Sequence, residues 1–422
     1  MISKLEIKGF KSLVDVSIEL GAVNVFIGAN GSGKSNLLEA VGFLSAIVQG
    51  GLEAEPLRYR GVREGVPASI CTSMTDREQQ PLSFAAVDDL FGYSVEFEPE
   101  KLHPSRWSIT KESGDFKGST IFVRSNDRIT YAAVGGSLPV GTSIEFAVDS
   151  ELRRSSFAKF ALLLSTTLTT DKSISSRFEP FKSNENYRLL EPDPTLFDLL
   201  GRFAIFTPST PNIRGSRTDI QREPLGLSGS GLGQAIDEML KSEPDKLGPF
   251  ELDEVYELID WADSLTIDET NDQATRLRIG DRYMGNGHKT VSLLESSEGA
   301  LYVLFLLALV GHADSPPIFA VDNFDQALHP RLACALTEKI ADQILADGTR
   351  QMLATTHNPL VLDGLDLLDD RVRLFTVDRD KSGATQVNRV LVSEELMAQA
   401  DKGLSLSQLW VMGRLGGVPK FL

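Results

Sequence analysis

The chain has 422 residues, 41% of them hydrophobic and 24% charged, with a formal net charge of −17 at pH 7. That composition is ordinary for a soluble protein with a sizeable core, and the length predicts two or three domains. The acidic balance excludes a broadly basic surface, so any nucleic-acid contact would need a local groove.

Residues 2–8 alternate, with Ile2, Leu5 and Ile7 apolar among charged neighbours. This start lacks the apolar core of a signal peptide. "VNVFIG" (23–28) is a short apolar run ending in glycine and reads as a buried strand. "GANGSGKS" (28–35) fits G-x-x-x-x-G-K-[ST], and "SNLLEAVGFLSAIV" (35–48) carries apolar residues at helical spacing. Strand, glycine loop and helix in that order are the context a phosphate-binding loop requires. Gly28, Gly31 and Gly33 are expected to adopt backbone conformations closed to residues with a Cβ. The loop N–H groups then curl round phosphates at a helix N-terminus. Lys34 is then expected to bridge the β- and γ-phosphates, and the Ser35 hydroxyl to coordinate Mg²⁺. The expected nucleotide-binding set is Gly28, Ala29, Asn30, Gly31, Ser32, Gly33, Lys34, Ser35 and Asn36.

Between 93 and 134 the chain shows short β-rich runs separated by Gly, Pro, Asp and Asn, which predict an antiparallel sheet. From about Ser155 the pattern predicts helices, in "SSFAKFALLLSTTL", "TLFDLLGRF", "GQAIDEMLKS" and "ELDEVYELIDWADSL". Two segments concentrate positive charge, "RRSSFAKF" (153–160) and "IRGSRTDIQR" (213–222). Solvated faces are the commoner explanation for such runs, with a nucleic-acid groove as the alternative. Cys71 and Cys334 have neither metal-ligand spacing nor a disulfide framework, which fits a reducing compartment.

After residue 272 the α/β pattern returns. "TRLRIGDRYM" reads as a strand and "EGALYVLFLLALVG" as a buried helix too short to span a bilayer. A cytoplasmic protein without membrane contact is expected. "PIFAVD", "RQMLATT" and "RVRLFTVDRD" read as strands, "RLACALTEKIADQILADG" as a helix, and the tail as a helix with a Gly/Pro stop. Asp322 ends an apolar strand, as expected of a carboxylate that holds Mg²⁺ through water. His357, in "TTHNP", follows another strand. A lone histidine there is more often structural, and the same prior applies to His103, His288, His312 and His329. Two serine–glycine loops each open a helix. "SSEG" (296–299) is favoured over "LSGSG" (227–231), because it precedes Asp322 by about 25 residues and leads into the apolar helix as an N-cap. "VDRDKSG" (377–383) holds Asp378 and Asp380, better read as a hairpin turn than as a metal pair.

In this order, "FKSLVDVSIELGAVNVFIGANGSGKSNLLEAV", "SSEGALYVLFLLAL", "FAVDNFDQALHP" and "LATTHNPLVLD" resemble ABC-type ATPases of the RecF and SMC kind. More closely, the chain resembles the compact prokaryotic ATPases of the OLD-like group, many of them encoded in phage-defence systems beside a separate effector. The implied fold is α/β: a P-loop NTPase with an ABC-type ATPase head, an antiparallel β subdomain and a helical insertion. The implied division is 1–60 and 271–392 for the two parts of the head, 61–150 for the β-rich subdomain, 151–270 for the insertion and 393–422 for a helical tail. The implied activity is ATP hydrolysis with Mg²⁺ in a head-to-tail homodimer or higher oligomer. Loop 28–35, Asp322 and His357 of one subunit bind ATP, and Ser297, Glu298 and Gly299 of the other close over its γ-phosphate. The glutamine that couples transporter ATPases to their partners has no secure match; Gln49, after the first helix, is a weak candidate.

Asn323 stands where the family has its catalytic glutamate, and Asp325 where many relatives have a second acidic residue. Three roles are open: Asp325 acts as base, Asn323 merely orients water while hydrolysis stays slow, or the site only binds. The functional expectation is an ATPase subunit of an anti-phage defence complex whose separate effector is of the nuclease kind. The alternatives are a RecF-like repair ATPase that clamps DNA and a non-hydrolysing ATP-bound scaffold.

Overall fold

The computed structural model describes residues 1–49, 51–52, 54–63, 65, 67–71, 81–100, 107–125, 128–132, 143–147, 196–215, 219–220, 222–268, 277–285, 289–393 and 402–418. Strands β1 (Lys4–Phe10), β2 (Leu13–Glu19) and β3 (Val23–Ile27) lead into helix α1 (Lys34–Gln49), followed by the short helices α2 (Ala54–Arg58) and α3 (Pro67–Ile70). Strands β4 (Leu82–Val87), β5 (Phe91–Pro99), β6 (Trp107–Phe116), β7 (Ser119–Ser125), β8 (Arg128–Ala132) and β9 (Ser143–Ala147) come next. They extend an antiparallel sheet of order β2-β1-β4-β5-β6-β7-β8-β9. The β-rich layer therefore begins within the first twenty residues, because the alternation of β1 and β2 gives them one buried face that needs a partner.

Further along lie helix α4 (Leu196–Gly201), strand β10 (Ala204–Phe206) and helices α5 (Thr210–Ile213) and α6 (Leu232–Ser242). The pair β11 (Lys246–Leu247) and β12 (Phe250–Glu251) precedes helix α7 (Leu252–Leu258), and β13 (Ala262–Ile267), β14 (Leu277–Asp281) and β15 (Thr290–Ser292) form a small antiparallel sheet. The rest of the chain runs through α8 (Glu298–Gly311), β16 (Ile318–Val321), α9 (Pro330–Asp347), β17 (Gln351–Thr356), β18 (Val372–Arg379), β19 (Thr385–Val390) and α10 (Leu406–Val411).

The second large sheet has the order β10-β16-β17-β3-β18-β19, parallel except for the final hairpin. Both α/β segments thus share one sheet, as the patterning predicts. β3 lies between β17 and β18 with all five residues buried. Its Val23, Val25 and Ile27 join the core built round α8, and Phe26 joins the core round α1 on the other face. Helix α1 is packed between the two sheets. Its Phe43 ring meets Phe10 at 5.6 Å, Phe84 at 5.4 Å and Trp107 at 5.9 Å. Helix α8 is buried along its whole apolar run from Ala300 to Val310.

Two elements differ from the sequence expectation. "ELDEVYELIDWADSL" is helical only as far as Leu258, and 262–267 is strand β13. Its buried positions Ala262 and Leu265 satisfy a helical spacing as well as a half-buried strand, so periodicity alone misassigns it. The predicted helix "TLFDLLGRF" stops at Gly201, and Ala204–Phe206 form β10, which pairs with β16 at the edge of the parallel sheet. The segment read as "SSFAKFALLLSTTL" and the basic run 153–160 lie outside the described residues. Among the described residues no helix is long and apolar enough to cross a membrane.

Candidate nucleotide site

The loop 28–35 leaves the carboxyl end of β3, where parallel α/β sheets bind ligands. Gly31 and Gly33 have φ of 74° and 115°, a region strained for residues with a side chain. Gly28 does not, which corrects the expectation that it serves an unusual backbone conformation. Its need for glycine is steric, since an added Cβ would come 2.2 Å from the Val377 carbonyl oxygen on β18. The outer side of the loop is braced by β18 and β19. Arg379 Nε donates to the Gly31 carbonyl at 2.7 Å, and Thr385 Oγ1 donates to that of Ser32 at 2.8 Å.

Inside the loop, Lys34 is 6% exposed, and its Nζ donates to the carbonyls of Gly28 at 2.7 Å and Ala29 at 3.1 Å. Burial pushes its ammonium down to about 8, while the Asp322 carboxylate pulls the other way. Ser32 Oγ is buried without a hydrogen-bond partner. An orphaned hydroxyl beside an inward-turned ammonium is a donor set that an anion would complete. Asn30 lies on the exposed turn. Asn36, expected in the nucleotide set, is engaged with the framework. Its Nδ2 donates to Ser12 Oγ at 2.8 Å, and its Oδ1 accepts from Arg63 at 3.2 Å. One turn on, Glu39 accepts from Lys11 and Arg63. Burial opposes ionisation there, but those two bonds hold the carboxyl below its ordinary value.

β16 delivers Asp322 beside the loop. Its Oδ2 accepts from Ser35 Oγ at 2.9 Å, and its Oδ1 accepts from Thr355 Oγ1 on β17. Its N–H donates to the Phe206 carbonyl on β10 at 2.9 Å. Asn323 follows at φ 58°, with its N–H donating to Thr355 Oγ1 at 2.9 Å. Asparagine is among the few residues at ease in that left-handed region. Asp325 Oδ1 accepts from Thr356 Oγ1 at 2.6 Å and from the His357 N–H at 3.4 Å. His357 is exposed. Partial burial, and then the Lys34 charge, hold its imidazole below its ordinary value of 6.5 against the pull of Asp325 and Asp322.

Ser35 and Asp322 supply hard oxygen ligands. Among the described residues no group of three or more His, Cys, Asp or Glu is gathered round a metal position. A hydroxyl and a carboxylate are the protein donors Mg²⁺ takes when phosphates and water fill the remaining positions, so these residues fit the ion.

Ser297 caps α8, its side chain accepting from the Ala300 N–H. Ser297 and Glu298 are exposed, and an added Cβ on Gly299 would lie 3.4 Å from the Ala327 carbonyl oxygen. The structure thus brings Lys34, Ser35, Asp322, Asn323, Asp325 and His357 together, with Ser297–Gly299 displayed at a separate helix start. Gln49 is at the far end of α1, roughly 20 Å of helix from the loop, and packs against Gly201. Asp380 accepts from Ser382 and Ala384 within the β18–β19 turn, as a hairpin residue, whereas Asp378 lies within β18 and accepts from the Gly417 N–H of the C-terminal segment. His312 and His329 cap helix ends, while His103 and His288 lie outside the described residues. Residues missed by sequence reasoning are Thr355, Thr356, Arg379 and Thr385. Each acts through a bond spanning tens to hundreds of residues, for which local patterning carries no signal.

The chain matches the family model "RecF/RecN/SMC N terminal domain" over residues 1–382. Among solved structures it is similar to an SmcHead bound to the C-winged helix domain of ScpA, at 14% identity and a TM-score of 0.48, covering 96% of this chain and 99% of that one. It is similar to the SMC head domain from Thermotoga maritima at 13% identity and a TM-score of 0.42, covering 93% and 99%. A third similar structure is an Smc head domain with an extended coiled coil, bound to the C-terminal domain of ScpA derived from Pyrococcus furiosus. Its identity is 14%, its TM-score 0.42, and the coverage 96% and 99%. No curated protein matches the chain. With the family match spanning most of its length, the chain belongs to the RecF/RecN/SMC N-terminal domain family and is an ABC-type ATPase of the RecF and SMC kind.

Proposed function

We propose that the protein binds Mg²⁺-ATP at loop 28–35 and hydrolyses it slowly as a head-to-tail homodimer. In this reading Ser297, Glu298 and Gly299 of each subunit face the γ-phosphate held by the other. The observation that carries the reading is the 2.9 Å bond between Ser35 Oγ and Asp322, two residues 287 positions apart. It joins the hydroxyl of the phosphate loop to the carboxylate at the end of β16, which β17 separates from β3, at the point where Mg²⁺ would sit. When bound there, Mg²⁺ would neutralise phosphate charge and fix the orientation of the triphosphate.

The chain's own residues support slow chemistry. Asn323 is an amide and takes no proton. Asp325 spends one carboxylate oxygen on Thr356 and the backbone of His357, which suits a residue that positions His357 better than a free base. His357, held below its ordinary value in the nucleotide-free site, offers a hydrogen bond to phosphate or water. A long-lived ATP state suits an ATPase subunit that holds a separate effector in a defence complex, and that is the role we assign. A DNA-clamping role has less support. Among the described basic residues of 213–222, Arg214 donates to the Ser296 carbonyl, and Arg222 donates to those of Tyr59 and Arg202.

Turnover of Asp325→Asn and Asp325→Ala separates the two roles for that residue. If Asp325 positions His357, the asparagine variant keeps most activity, because an amide oxygen still accepts both bonds, and the alanine variant loses about tenfold or more. Equal loss in both variants would make Asp325 the base.

A further inference from the structure

The loop 207–214, between β10 and the end of α5, makes bonds that neither its composition nor the family motifs foreshadow. It begins where β10 ends, one residue after the Phe206 carbonyl that accepts from the Asp322 N–H. It then wraps the start of α8. Thr210 Oγ1 donates to the Glu298 carboxylate, and Arg214 Nη2 donates to the Ser296 carbonyl at 2.8 Å. The Tyr302 hydroxyl, one turn into α8, donates to the Pro208 carbonyl. Burial, and then the nearby Glu298 charge, push that phenol up to about 12, so it remains a donor across the working pH range.

The loop is itself held from behind. The Thr207 N–H donates to the Leu227 carbonyl and that of Ser209 to Ser228, each at 2.9 Å. Ile213 is 2% exposed and sits against Gly229, where an added Cβ would come within 2.4 Å of it. The "LSGSG" loop, rejected as a phosphate contact, therefore serves as the backing for this one. Within the turn Ser296 is buried, while Ser297 and Glu298 are exposed.

We propose that Thr210 and Arg214 are positioning residues: they fix the Ser296–Glu298 turn for the partner's nucleotide and tie it, through β10, to the backbone of Asp322 in their own site. This rests on the sandwich reading above and deepens it, since a shift of Asp322 at one nucleotide would be passed to the turn that closes over the other. A hydrogen bond involving a charged group shifts an equilibrium roughly tenfold to a hundredfold, enough for these contacts to set the position of the turn.

The test uses the full chain with Arg214→Ala, Arg214→Lys and Thr210→Val, alongside Lys34→Ala. Without nucleotide, Arg214→Ala and Thr210→Val should raise amide hydrogen exchange at 296–302 about tenfold and leave that of 34–49 unchanged. Their ATP affinity in dilute protein should match the parent, while kcat falls about tenfold. Arg214→Lys should regain most of the lost kcat, because an ammonium still donates to a carbonyl. Unchanged exchange at 296–302, unchanged kcat, or exchange raised throughout the molecule would each overturn the proposal. A parent protein with no turnover above Lys34→Ala would instead contradict the function itself, whatever the exchange shows, and the inference would fall with it.

Discussion

Lys34 shows how one residue sets a solution property. Its ammonium is shut away from water and satisfied by two carbonyls, so burial drops it to about 8 from an ordinary 10.5. A bound triphosphate favours the charged form and raises that value again. ATP binding must therefore take up a proton at and above pH 8, and affinity falls as pH rises through that value, by at most about tenfold per unit. Calorimetry at pH 8.5 in two buffers of different ionisation enthalpy should show proton uptake, and Lys34→Met should abolish the difference. The residues that make this site were partly legible in the chain. Lys34, Ser35 and Asp322 announce themselves because a glycine loop or an apolar strand delivers each. Thr355 and Thr356 do not, because a threonine in a buried strand looks like any β-branched filler until its neighbour strand is known. Asn323 was legible as an oddity. Its left-handed φ of 58° gives it a second, conformational reason to be asparagine, one that only the backbone reveals.

At the scale of elements, α8 carries the turn 296–298 and is anchored by its own core. Leu304 is fully buried within it. Leu304→Ala should cost about 2–5 kcal/mol, from lost transfer energy and the cavity left behind. Denaturant unfolding measures this as a lower midpoint with an unchanged slope, and a cost under 0.5 kcal/mol would contradict the packing described here. Long elements were readable, α9 because one-sided burial spaces its apolar residues and α8 because burial on all sides makes it a continuous apolar run. Short ones were not. β10 has only three residues, and its identity as a strand comes from β16 beside it. β13 fits two periodicities until its pairing with β14 selects one. These are cases in which tertiary contacts override the local pattern.

For the whole molecule, the site exists only because the two halves of the chain share a sheet. Residues 23–35 bring the phosphate loop, 318–325 the carboxylate and 351–357 the histidine, each at the carboxyl end of a parallel strand. The displayed turn at 297–299 is a separate surface, and the central claim is that it completes the site of a second copy. Mixing two inactive variants tests that claim most directly. Lys34→Ala lacks a working phosphate loop, and Ser297→Arg blocks the turn with a bulky cation. If each site takes its loop from one subunit and its turn from the other, every mixed dimer regains one intact site. An equimolar mixture should then recover about a quarter of the parent turnover, since about half of the dimers are mixed. A mixture that stays as inactive as its separate components, with both variants folded and self-associating, would contradict the account.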